Sequence, residues 1–172
     1  MSPAAPRLLH AAPLTPEAFA AYGEVIEAVP GSGHAINDGT CLRFDSRARI
    51  DVTAAGGEVQ ISLFRAQPRA LPLRLRSLER HPLGSQAFFP LTTHPYLIVV
   101  AGDGPGPVGE RLHAFAGAAG QGVNYRRNTW HHALIALETV SEFLVVDRRG
   151  TGNNCEELRL DGDSVAVSWQ PR

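Results

Sequence analysis

The 172-residue sequence is 44% hydrophobic and 19% charged, the composition of a globular protein able to bury a core of its own. Its net charge of -1 argues against nucleic acid as a main partner, and no apolar run reaches the roughly 18 residues of a membrane span. All 16 basic residues are arginine. That excludes Schiff-base chemistry on a lysine but leaves guanidinium forks suited to carboxylates.

The opening MSPAAPRLLHAAPL lacks the uninterrupted apolar core of a signal peptide, so a cytoplasmic protein is expected. Thr15 is a capping residue, Pro16 suits the first helical position, and Gly23 is a stop. Together they predict a short helix over Pro16 to Tyr22. Strand signals dominate afterwards. Strands are expected at 24–29, 41–44, 59–64, 73–78, 86–89, 96–101, 112–115, 123–125, 131–137, 142–147 and 165–169. Residues 31–39 read as a polar loop carrying His34, Asn37 and Asp38. The run 96–101 is apolar throughout, as a central strand should be. With 17 Gly and 13 Pro to make turns, the pattern is mainly β: a double-sheet jelly roll or barrel with a short N-terminal helix. One domain, 1–172 with its core at about 8–160, is the simplest organisation.

Two stretches are too polar for a core and too aromatic for a solvated loop: Gly122–His132, GVNYRRNTWHH, and Glu79–Phe88, ERHPLGSQAF. The reading is that they line one pocket. Adjacent His131 and His132 would face opposite sides of a strand. If extension is continuous, Tyr125, Arg127, Thr129 and His131 share one face. Glu79 and His81 share a face by the same period of two. Cupin metal sites use His-x-His, a following Glu and a later His. Here Glu79, His81 and His131 are the candidates for a distorted version, although a carboxylate paired with arginine and a histidine bonded to backbone would explain the same residues. Arg65, at the end of an apolar strand, and Arg127 suit a small carboxylate ligand, while Asn37, Gln86, Tyr125 and Asn128 offer hydrogen bonds. Cys41 and Cys155 show no metal spacing, and acidic neighbours disfavour Cys155 as a nucleophile. No G-x-S-x-G elbow supports an acyl-enzyme route.

Six ordered blocks carry a family resemblance: LTPEAFAAYGEVIE (Leu14–Glu27), INDGTCLR (Ile36–Arg43), ISLFRAQP (Ile61–Pro68), LERHPLGSQAFFP (Leu78–Pro90), QGVNYRRNTWHH (Gln121–His132) and FLVVDRRGTGNNCEE (Phe143–Glu157). The sequence resembles the ureidoglycolate lyases of allantoin degradation, a part of purine catabolism. The resemblance implies a cupin-like β fold, a homodimer, a divalent metal associated with the family (nickel), no organic cofactor, and cleavage of (S)-ureidoglycolate to glyoxylate and urea. Its members also carry the label ureidoglycolate hydrolase.

Such an elimination needs a base, an acid and a carboxylate clamp, but no nucleophile. The expectation is that His131 or His81 is the base and Glu79 orients it or relays protons. Arg65 and Arg127 would hold the carboxylate, and Asn37, Gln86, Tyr125 and Asn128 the ureido group or nascent aldehyde. The alternatives are an amidohydrolase that releases ammonia from the same substrate, and a non-catalytic cupin-like module that binds a small acid. A cupin-type oxygenase is disfavoured by the missing His-x-His.

Overall fold

Alternate residues of the strand Tyr96–Ala101 face two different cores. This computed structural model describes residues 5–160 and 165–171. Tyr96, Ile98 and Val100 pack with Phe19, Val25, Phe88, Phe115, Val123, Tyr125, Phe143 and Val145 on one side. Leu97, Val99 and Ala101 pack with Leu75, Leu78, Leu112, Ile135, Leu137 and Val167 on the other. Burial on both faces is why this strand has no polar alternation.

The larger of the two main sheets has five strands in the order Gly23–Ile26, Gly122–Tyr125, Gln86–Pro90, Ser141–Arg149, Glu58–Ala66, with every pairing antiparallel. The facing sheet has four: Ile135–Ala136, Tyr96–Ala101, Leu112–Gly117 and Ala12–Pro13. Beneath it, Arg7–His10 and Leu73–Arg74 flank Val165–Ser168. Ser77–Arg80 pairs with Glu156–Arg159, and His34–Ile36 with Cys41–Arg43. The expected mainly β, double-sheet fold is present, but the ladders form separate sheets and do not close into a barrel among the described residues. No described helix is long and apolar enough to cross a membrane.

Several elements differ from expectation for local reasons. The helix is one turn, Pro16–Phe19, with the Thr15 hydroxyl accepting from Ala18 N–H at 3.2 Å. It exists to plant Phe19, fully buried, in the first core. The strand expected over 73–78 is two strands, because the chain crosses between sheets there. Leu75 N–H bonds Val165 O on one side, and Arg76 O accepts from Leu160 on the other. The strand expected over 165–169 is Val165–Ser168; residues 161–164 lie outside the described residues.

The five-stranded sheet ends in an exposed edge. Val59, Ile61 and Leu63 on Glu58–Ala66 are 57%, 67% and 69% exposed. They share one face, and Arg65 continues it.

Candidate functional site

Glu79 and His131 are opposite each other in an isolated antiparallel bridge. Glu79 N–H donates to His131 O at 2.7 Å, and His131 N–H to Glu79 O at 2.9 Å. Residues paired in this way present their side chains on the same face. His131 Nε2 accordingly lies 3.5 Å from Glu79 Oε1, with the imidazole 2% exposed. On its other side the His131 backbone meets Val100, so the histidine is stitched between the two-stranded ladder and the central strand. His81, two residues after Glu79, joins the group: its ring centroid is 5.2 Å from that of His131.

Hydrogen bonds set the ring nitrogens. His131 Nδ1 lies 2.9 Å from Thr129 O. That carbonyl can only accept, so Nδ1 carries the proton and a neutral ring turns its Nε2 lone pair toward the Glu79 carboxylate. Nε2 is buried without a hydrogen-bond partner. Two acceptors facing each other at this distance call for a cation between them, either a proton or a metal ion. His81 repeats the arrangement. Its Nδ1 is 2.6 Å from Asn154 O and its Nε2 3.1 Å from Gln86 Oε1. The Gln86 amide is oriented by donating from Nε2 to Asp147 Oδ2 at 3.3 Å. His81 bonds both oxygens as an imidazolium, or else presents Nε2 to an ion.

One donor atom each from Glu79, His81 and His131 lies within 4.8 Å of the others. Two imidazoles and a carboxylate are a donor set for a divalent transition ion. The Nδ1 bonds to backbone carbonyls are the outer support that such ligands use. The orphaned Nε2 of His131 is the observation that makes the cluster fit a metal.

The surroundings tune these groups. The adjacent His131 ring holds the Glu79 carboxyl below its usual range, against partial burial that pushes it up. Burial lowers the pKa of His132, which points away to bond Ala133 O. Burial, and then the nearby carboxylates of Glu79 and Glu157, raise the Cys155 thiol, which suits no nucleophile. Tyr125 stacks on His131 with centroids 4.2 Å apart, and burial pushes its phenol well above its usual range.

The remaining candidates separate. Gln86 lines the cavity. Arg127 does not share the face of Tyr125 and His131, because a turn closed by Thr129 N–H to Arg126 O, with Asn128 at φ 66°, breaks the strand. Arg127 instead donates from Nε and Nη2 to Pro82 O at 3.1 and 2.9 Å and lies 3.7 Å from Asp51. Asn128 N–H bonds His81 O. Both therefore brace the loop after Glu79. Arg65 is on the outer face of its strand, 71% exposed and paired with Glu142 at 2.6 Å. Asn37 is exposed at the tip of the separate hairpin, at φ 51°. Within one chain neither is brought to the cluster.

Beside His81 and Gln86 opens a cavity of about 290 Å³, also lined by Ser85, Asp147, Asn154 and Cys155. Asp147 was not among the sequence candidates. Its signal was its place, two residues beyond Val145 on the inward face of an otherwise apolar strand.

The family model described as ureidoglycolate lyase matches residues 6–168. A ureidoglycolate lyase of Rhizobium leguminosarum bv. trifolii (strain WSM2304) is 53% identical over 89% of this chain and 92% of its own. Ureidoglycolate lyase 1 of Rhizobium meliloti (strain 1021) is 51% identical over 90% of each chain. A ureidoglycolate lyase of Pseudomonas putida (strain F1) is 50% identical over 94% of this chain and 96% of its own. Among solved structures, a dTDP sugar isomerase of Desulfovibrio desulfuricans G20 aligns over 82% of this chain and 85% of its own, at 17% identity and a TM-score of 0.46, a likeness too loose to argue from.

Proposed function

This chain belongs to the ureidoglycolate lyase family, and from that premise we propose that it cleaves (S)-ureidoglycolate to glyoxylate and urea by acid–base elimination at the Glu79–His81–His131 cluster. The observation that carries the reading is the buried, unpartnered Nε2 of His131 facing the Glu79 carboxylate beside a small polar cavity.

The substrate holds a hydroxyl and a ureido nitrogen on one carbon. The Glu79–His131 pair takes the hydroxyl proton, the oxygen's electrons form the aldehyde, and the carbon–nitrogen bond breaks with its electrons going to nitrogen. A proton then reaches that nitrogen from His81, whose ring is set by contacts to Asn154 O and Gln86 Oε1. Glu79, held ionised, stabilises the proton on His131. Tyr125 keeps the imidazole flat and dry, and Arg127 and Asn128 keep the loop of His81 in place.

In place of the protons they share, Glu79, His81 and His131 would hold a divalent ion, which would supply Lewis-acid polarisation of the substrate oxygen. Nickel, which the resemblance implies, is the ion to test first. The working unit is a homodimer; the apolar stripe Val59, Ile61 and Leu63 supports a partner surface. Across such an interface Arg65 and Asn37 would reach a partner's site, the one arrangement in which they serve as substrate-binding residues.

The deciding experiment incubates chelator-treated and nickel-restored protein with (S)-ureidoglycolate and assays glyoxylate, urea and ammonia together. Glyoxylate with matching urea, above the spontaneous rate in at least one of the two forms, is the expected outcome. Ammonia in place of urea would make the protein an amidohydrolase, and no turnover in either form would leave a small-acid-binding module.

A further inference from the structure

We infer that Asp147 recognises the ureido end of the substrate and that its charge decides which way round the substrate lies, an inference that rests on the reading of the site given above. Asp147 is on the inward face of Ser141–Arg149, in line with buried Phe143 and Val145. It lines the same cavity as His81 and Gln86. Its two oxygens accept from two neutral amides, Gln60 Nε2 to Oδ1 at 3.4 Å and Gln86 Nε2 to Oδ2 at 3.3 Å. None of the ion pairs among the described residues includes it, although arginine is abundant in the chain. A carboxylate in a small cavity, steadied by two long bonds from uncharged groups, keeps lone pairs free for a ligand that donates.

The substrate's two ends are chemically opposite. The carboxylate only accepts, and the ureido end donates from N–H and NH₂. Asp147 repels the first and binds the second through charge-assisted hydrogen bonds. Electrostatics therefore lays the ureido group toward Asp147 and keeps the carboxylate away from it. Gln86 ties Asp147 to the cluster, with its NH₂ on Asp147 and its carbonyl on His81.

The test is the binding of two inert probes by calorimetry: ureidoacetate, which has both ends but no carbinol hydroxyl, and glycolate, which lacks the ureido group. The native protein should prefer ureidoacetate. Asp147→Asn should weaken ureidoacetate by about 10- to 100-fold, the usual loss for a charged hydrogen-bond partner, and leave glycolate within about twofold. Asp147→Glu, which keeps the charge, should recover part of the preference. Unchanged ureidoacetate binding in Asp147→Asn would overturn the inference, and so would equal weakening of both probes, which marks a structural role. Absence of turnover in the native protein would overturn the proposed activity instead, and an Asp147-dependent preference for ureidoacetate would survive it.

Discussion

Tyr125 lies flat against His131, their ring planes 12° from parallel and their centroids 4.2 Å apart. The phenol is 2% exposed and burial raises its pKa, so the proposed mechanism uses its ring to steady the imidazole and asks no proton of its hydroxyl. Tyr125→Phe keeps the stack and should retain most of the turnover. Tyr125→Ala removes an aromatic contact of about 0.5–1.5 kcal/mol and opens a core cavity costing about 3–5 kcal/mol of stability. It should lose both kcat and thermal stability. Steady-state kinetics with thermal unfolding on the two variants decides this; equal losses in both would return a chemical role to the hydroxyl.

His131→Asn should lower kcat by about 10²–10⁴-fold, the span of a positioned proton-transfer group, while the fold persists. Glu79→Gln should fall in the same direction, because the imidazolium then lacks its counter-charge at 3.5 Å. The double variant should fall little further than the worse single one, since the two act as a unit. Multiplicative losses would show that they serve separate steps.

Metal binding has its own readout. One equivalent of nickel per chain should bind the native protein, with protons released as the imidazoles ligate. Glu79→Gln, His81→Ala and His131→Ala should each weaken it by at least about tenfold. Calorimetry in two buffers of different ionisation enthalpy measures affinity and proton release together. Affinity unmoved by all three substitutions would place any bound ion elsewhere.

Stability should fall on acidification in two steps of the same sign. His132 is held neutral by burial below its ordinary 6.5, so the unfolded chain takes up the proton first. The contribution of the neutral ring is complete above pH 6.5 and is lost as pH falls through the lower folded value. Glu79, depressed from 4.5 by the His131 ring, contributes fully above pH 4.5 and loses its part as pH falls through its own lower folded value. Guanidinium unfolding from about pH 7 to about pH 3 should show the first step missing in His132→Asn and the second missing in Glu79→Gln.

Local pattern was a good guide wherever the period of two runs unbroken. Tyr96–Ala101 announces itself because both its faces are buried, and Glu79 and His81 share a face because they lie two residues apart on an extended segment. The meeting of Glu79 with His131 depends on long-range strand pairing, which polar density indicated but spacing does not encode. Continuous extension would put Arg127 beside Tyr125 and His131, but Asn128 in a left-handed conformation turns the chain, which asparagine tolerates. Arg65 shows the limit of reading strand ends. Its parity puts it with Val59, Ile61 and Leu63 on the outer face, and an exposed apolar stripe looks like a core stripe in sequence. Asp147 is hard to read from sequence because a charge closing an apolar strand looks like its terminus.

The nine-residue edge strand Glu58–Ala66 has a consequence for how the protein is made. A newly synthesised chain displays there a long row of unpaired backbone groups beside bare aliphatic side chains, the combination most open to wrong neighbours. The yield of usable protein is therefore governed by how crowded the chains are as well as by how well each one folds. A lysine in place of Ile61 would relieve that sensitivity to crowding.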